Sequence, residues 1–197
     1  MNFIAHLYLS DNNKEILVGN FLADAIKGKQ IETLPFEIQN GVRLHRQIDF
    51  FTDNHPIVKH SKQFLVEKYN HFSGVLIDIF YDYFLIKNWH KFNNISLEIF
   101  SEISIEILDK NSHILPFDSA HFLAYIKKYK IIENYGAIDT IKQVLEGMSK
   151  RTTILNSGIE NGYLDLEKFE NELESDFLTF FPELVASCQK FKVENQI

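Results

Sequence analysis

One cysteine, Cys188, in 197 residues leaves neither a disulfide framework nor a thiolate metal cluster to brace the chain. Proline (4) and glycine (8) are scarce, too few for the many turns of a β-sandwich or barrel. Arg43, Arg46 and Arg151 are the only arginines, and the formal net charge is −7. That balance argues against general nucleic-acid binding, which depends on neutralising phosphates, while leaving room for a local basic patch. No apolar run approaches the ~20 residues of a membrane span. The opening Met1-Asn2-Phe3-Ile4 lacks the basic start of a secretory signal. There is no glycine-rich phosphate loop, no dinucleotide fingerprint and no nucleophile elbow. A cytoplasmic protein without nucleic-acid or membrane partners is expected.

What the chain does have is phenylalanine, 18 of them, in a sequence 45% hydrophobic and 24% charged. Apolar residues recur at helical spacing, and the length suits one well-filled core. The expectation is all-α: a single-domain helical bundle over residues 1–197. Helices are expected over 2–10, over 16–27 with Gly28 as the stop, and from 36 to 52 after Pro35. Further ones follow over 56–69, 75–90 and 96–110, with Ser96 as an N-cap. The last are expected up to residue 130 from a cap at Asp118 or Ser119, over 138–150, and over 166–181, with Pro182 interrupting the final helix.

Polar residues then break the apolar pattern in three places. His45, Asp49 and Asp53 follow one another at four-residue intervals, so one helical stripe carries an imidazole and two carboxylates. Arg43 and Arg46 lie beside it. Asn20 and Asp24 repeat the spacing, as do Asp78 and Asp82, with His90 eight residues further on. Helical bundles build metal sites by projecting such groups inward, while two cations nearby could hold an anion. Taken singly, each pair is also what a solvated helix face presents. Asp53 also fits a Thr-Asp-Asn turn that ends its helix. Asp78 and Asp82 fit the solvated reading least, because their segment is apolar or aromatic at nearly every other position. His6 and Asp24 also sit among apolar neighbours. His55, His60, His71, His113 and His121 fall in loops or on mixed faces, where exposure is the simpler account. A mixed oxygen and imidazole set suits Mg, Mn, Fe(II) or Zn.

These residues carry a resemblance. The opening Met-Asn-Phe-Ile-Ala-His-Leu-Tyr-Leu and the stretch Gly19-Asn20-Phe21-Leu22-Ala23-Asp24 resemble the start of the acyl carrier protein phosphodiesterases. The block Gly41-Val42-Arg43-Leu44-His45-Arg46-Gln47-Ile48-Asp49 with Thr52-Asp53-Asn54 is similar to that family's most distinctive motif. Asp82-Tyr83-Phe84-Leu85 and Gly147-Met148-Ser149-Lys150-Arg151 extend the likeness along most of the chain.

The resemblance implies an all-helical, HD-domain-like phosphohydrolase. Its reaction would be hydrolysis of holo acyl carrier protein to apo carrier and 4'-phosphopantetheine, with a divalent metal, manganese first and magnesium or iron as alternatives. The chain departs from the wider HD pattern in having no adjacent His-Asp dipeptide. On this reading Asp24, His45, Asp49 and Asp82 are the metal ligands, with Asp78 next. Arg46 neutralises the phosphate, supported by Arg43 and Arg151. His90 or His6 protonates the leaving serine oxygen, Asp53 is catalytic, and Asn20 contacts substrate. An acidic enzyme meeting an acidic carrier needs a local basic patch, expected from Lys27, Lys29, Arg43 and the lysines of 127–130. Two other readings use the same residues: a phosphohydrolase of nucleotides or other small phosphodiesters, and a helical binding module without catalysis.

Overall fold

The computed structural model describes residues 1–11, 13–150 and 157–197, and no strand occurs among them. The first five helices are α1 (Phe3–Leu9), α2 (Lys14–Leu22), α3 (Phe36–Asn54), α4 (Pro56–Tyr69) and α5 (Ser73–Lys87). A short α6 (Trp89–Phe92) leads to α7 (Leu97–Lys110), α8 (Phe117–Tyr129) and a short α9 (Ile131–Asn134). The chain closes with α10 (Ile138–Ser149), α11 (Gly162–Lys168) and α12 (Glu170–Asn195).

The centre of the bundle is α5. Leu76, Ile77, Ile79, Phe80, Tyr81, Phe84 and Leu85 are all buried, so its apolar surface runs round the helix instead of forming one stripe. It packs between α1, α4 and α12, where Phe177 and Phe180 face Tyr81 and Phe177 also faces Phe84. The phenylalanine-rich stripes are therefore core. Ser96 caps α7, its hydroxyl accepting from the Ile99 amide at 3.3 Å.

Three expectations are corrected. The helix expected over 16–27 ends at Leu22; two 3-10 turns, Ala23–Ala25 and Gly28–Thr33, replace its last part. Ile26 between them is extended and Gly28 has a positive φ of 51°, so the backbone turns before Gly28 can act as a stop. Neither Asp118 nor Ser119 caps α8, which begins behind Pro116 with no side-chain cap. Pro182 does not interrupt α12, which is 26 residues long. It sits on the exposed face, where water can satisfy the carbonyl that its missing N–H leaves unpaired.

The approach of α2 to α3 positions everything that follows. Gly19 faces Gly41 so closely that a Cβ on Gly19 would lie 2.1 Å from the Ile38 carbonyl oxygen. A Cβ on Gly41 would lie 2.4 Å from the Ile16 carbonyl oxygen and 2.9 Å from the Asn20 nitrogen. Side chains at either position would hold the helices apart. Their absence brings the backbone of Asn20 against the side chain of His45.

A candidate His/Asp centre

Helix α1 brings His6, α2 brings Asn20, and α3 brings His45 and Asp49 to one point. The rings of His6 and His45 stack with centroids 4.0 Å apart. Each turns its Nδ1 inward. His6 Nδ1 lies 2.8 Å from Asn20 Oδ1, and His45 Nδ1 lies 2.9 Å from the Asn20 carbonyl oxygen. Both partners are oxygens that can only accept, so both Nδ1 atoms carry protons.

The outward Nε2 atoms converge on carboxylates. His6 Nε2 lies 3.2 Å from Asp49 Oδ1, and His45 Nε2 lies 3.1 Å from Asp49 Oδ2 and 3.2 Å from Asp24 Oδ1. The Met1 carbonyl oxygen lies 3.3 Å from His6 Nε2. The i, i+4 spacing of His45 and Asp49 does put both on one face. Asp24 reaches them from the 3-10 turn after α2, its side chain 91% exposed at the rim.

Charge in this cluster is unevenly divided. Burial alone would push the His45 imidazole down, but its bonds to Asp24 and Asp49 outweigh that and carry its pKa up to about 9. Burial lowers His6, and the neighbouring His45 charge lowers it further. Burial would raise the Asp49 carboxyl, yet hydrogen bonds from His45 and His6 hold it well below the usual carboxylate range. The bond to His45 lowers Asp24 likewise. His6 Nε2 thus faces Asp49 Oδ1 and the Met1 carbonyl, while His45 Nε2 faces Asp49 Oδ2 and Asp24 Oδ1. Imidazole nitrogens that converge on carboxylate oxygens are the kind of mixed donor set that a divalent cation takes. His6, His45 and Asp49 each place a ligand atom within 4.8 Å of the others. With Nδ1 held by an oxygen and Nε2 presented, both rings have the orientation that metal-ligating histidines take.

The cluster forms the floor of a cavity of about 560 Å³, within the range of small-ligand pockets. Phe21, Phe122, Val75 and Met148 supply an apolar wall, and Asp24, Asp49, Asp53, Asp78 and Asp118 line it with carboxylates. Asp53 is exposed there and pairs with Lys62 at 3.0 Å. Asp78 binds the Met1 ammonium at 2.9 Å.

Other residues singled out from the sequence lie elsewhere. Asp82 is wholly buried and accepts from the Ile4 and Ala5 amides at 2.7 and 3.2 Å, closing the N-terminus of α1. The structure does not bring it together with His45 and Asp49: its oxygens bond the backbone, and it does not line the cavity. Burial pushes its carboxyl up to about 7, against the pull of the Met1 ammonium and the two amides. His90 is exposed on α6 and does not line the cavity. Arg46 and Arg43 line a separate shallow pocket with Gln47, Phe191 and Asn195 and do not line the cleft. They occupy the exposed face of the same helix whose buried face carries His45. Arg151 lies outside the described residues. Asn20 is 1% exposed, and its bonds go to the imidazoles and their surroundings. The cavity-lining Asp118 and Met148 are not evident as site residues from sequence; each comes from a distant helix, with no local spacing to flag it. Among the histidines expected at the surface, His55 is instead buried, 3.2 Å from Glu183.

Fold and site together define a helical protein with a His/Asp centre at the base of an open cleft. The family described as acyl carrier protein phosphodiesterase matches residues 1–184, and the chain belongs to that family. The acyl carrier protein phosphodiesterase of Yersinia pestis is 32% identical over 194 residues, covering 96% of this chain and 98% of its own. The proteins of the same name from Enterobacter sp. (strain 638) and Escherichia coli (strain K12 / DH10B) are each 29% identical, over 197 and 194 residues, with the same coverage. No solved structure gives a significant match.

Proposed function

We propose that the cleft hydrolyses the phosphodiester joining 4'-phosphopantetheine to a serine of holo acyl carrier protein, with a divalent metal held by His6, His45, Asp49 and Asp24. Family membership along the chain supports the reaction, and the convergence of both Nε2 atoms on Asp49 supports the metal. Two imidazoles with carboxylates suit Mn or Fe(II) better than Mg, and we take manganese first.

A bound divalent cation supplies Lewis acidity toward the phosphoryl oxygens and toward water. The chain's own groups do the rest. Because the phosphate leaves with pantetheine, water attacks phosphorus and the serine oxygen departs. Five carboxylates line the cavity, so an anionic phosphodiester is repelled there unless positive charge is placed among them. His6, His45 and Asp49, with Asp24 at the rim, would hold such a cation. Asp53, one turn beyond Asp49 and lining the same cavity, would take the proton of the attacking water, and the serine oxygen would take its proton from solvent at the open cleft. The apolar wall of Phe21 and Phe122 keeps bulk water from one side of the phosphate. In this reading His6 is a ligand and not the acid assigned to it from sequence.

The decisive experiment is intact mass of a holo acyl carrier protein after incubation with the enzyme and Mn²⁺, beside Asp49→Ala. Loss of the phosphopantetheine mass is expected, and both the substitution and a chelator should abolish it. An intact holo carrier with metal-loaded wild type, together with turnover of a small phosphodiester, would move the assignment to small substrates.

A further inference from the structure

The two imidazoles do not hold themselves in place. We propose that Asn20 is the positioning residue of the centre, a single side chain and its own carbonyl fixing the tautomer and direction of both His6 and His45. The inference rests on the metal reading above, since it concerns how those ligands are aimed.

Every polar atom of the Asn20 side chain is accounted for. Oδ1 accepts from His6 Nδ1 at 2.8 Å and, more distantly, from His45 Nδ1 at 3.2 Å. Nδ2 donates to the His6 carbonyl at 2.8 Å and to Ser10 Oγ at 3.1 Å. Ser10 Oγ in turn donates to the same His6 carbonyl at 2.8 Å. A carbonyl cannot donate, so the amide has one allowed orientation and Oδ1 must face the rings. The backbone carbonyl of Asn20 holds His45 independently at 2.9 Å. Asn20 and Ser10 are 1% and 0% exposed, so water offers no substitute.

The backbone half of this device depends on the Gly19–Gly41 contact, which brings the Asn20 carbonyl within reach of α3. The side-chain half reaches α1. The two halves separate experimentally. Asn20→Ala removes the hold on His6 and keeps the carbonyl that holds His45. Asn20→Asp keeps the shape and an acceptor for His6 but loses the donor to the His6 carbonyl.

The test is a double-mutant cycle read by Mn²⁺ affinity, with metal alone titrated into the full-length protein. Asn20→Ala should weaken Mn²⁺ binding about 10- to 100-fold, the usual consequence of removing a partner behind a ligand. His6→Ala should weaken it further, and the double variant should lose clearly less than the sum of the two, because the shorter bond of the Asn20 side-chain oxygen is the one to His6. Asn20→Asp should lose less affinity than Asn20→Ala; if Asn20→Ala fails to fold, the cycle is run with Asn20→Asp and His6→Ala. Additive losses in the cycle, or unchanged affinity in a folded variant, would overturn the assignment. Wild-type protein that binds no Mn²⁺ would instead remove the metal reading, and this inference with it.

Discussion

At the scale of single residues, the centre is a balance between burial and charge that a metal and a proton both satisfy. In metal-free protein His45 keeps its proton up to about 9, above an ordinary value of 6.5, because Asp24 and Asp49 hold it. A raised folded-state pKa means the native state binds more protons than the unfolded chain between those values. The stabilisation is therefore complete below 6.5 and is lost as pH rises through about 9. With chelator present, the melting temperature of wild type should fall across that window. In Asp49→Asn the fall should be shallower, since one of the two carboxylates that raise His45 is gone. Matching slopes in the two proteins would show that His45 is not held by Asp49. The same scale explains which residues could be read in advance. His45 and Asp49 were legible as partners because one helix turn separates them. Arg46 misled for the complementary reason: adjacency in sequence put it next to His45, but the helix turns it about 100° away, onto the exposed face.

At the scale of elements, helix type was legible from periodicity and from the shortage of breakers, and α4 starts and ends where expected, from Pro56 to Tyr69, but the short helices α6, α9 and α11 and the break at Phe169 were not. Contacts between elements left no such trace. Asp82 looked like a ligand because a carboxylate in an apolar helix needs a partner, and the need was real. The partner is the first turn of α1, which has no side-chain cap of its own and takes one from α5. His6 and Asn20 could not be joined from sequence, since nothing local shows that α1 and α2 fold back with Ser10 between them. The glycine pair is the clearest case, because only the packed helices show why both must lack a Cβ. Gly19→Ala should cost about 1–3 kcal/mol by overpacking and weaken Mn²⁺ binding as the Asn20 carbonyl is pushed from His45. Gly147 lies within α10, and a Cβ added there would meet nothing within 4 Å. Gly147→Ala should therefore stabilise by up to about 1 kcal/mol and leave Mn²⁺ affinity alone. Thermal unfolding and Mn²⁺ titration of the two variants check this directly. A Gly19→Ala protein as stable and as tight-binding as wild type would mean that the approach of α2 to α3 has no part in the site.

At the scale of the whole molecule the question is how an acidic enzyme, with a net charge of −7, meets an acidic carrier. Of the basic groups expected to form a docking patch, two sets are already engaged. Arg43 bonds Asn40 at 2.6 Å and Gln39 at 3.1 Å and lies over the Phe36 ring. Lys127 pairs with Asp109 at 2.6 Å. Lys27 and Lys29 are placed differently. They follow closely on Asp24 and Ala25, which line the cleft, and both lysines are exposed. A carrier whose modified serine must enter that cleft brings its own surface against this rim, within the ~8 Å over which exposed charges act at physiological salt. Rim charges change encounter more than chemistry. Lys27→Glu with Lys29→Glu should therefore raise KM for holo carrier several-fold, more at low salt than at high, while kcat and turnover of a small phosphodiester stay within about twofold. Loss of both activities together would mean that the lysines support the centre itself. Unchanged KM at low salt would place the carrier on another face of the bundle.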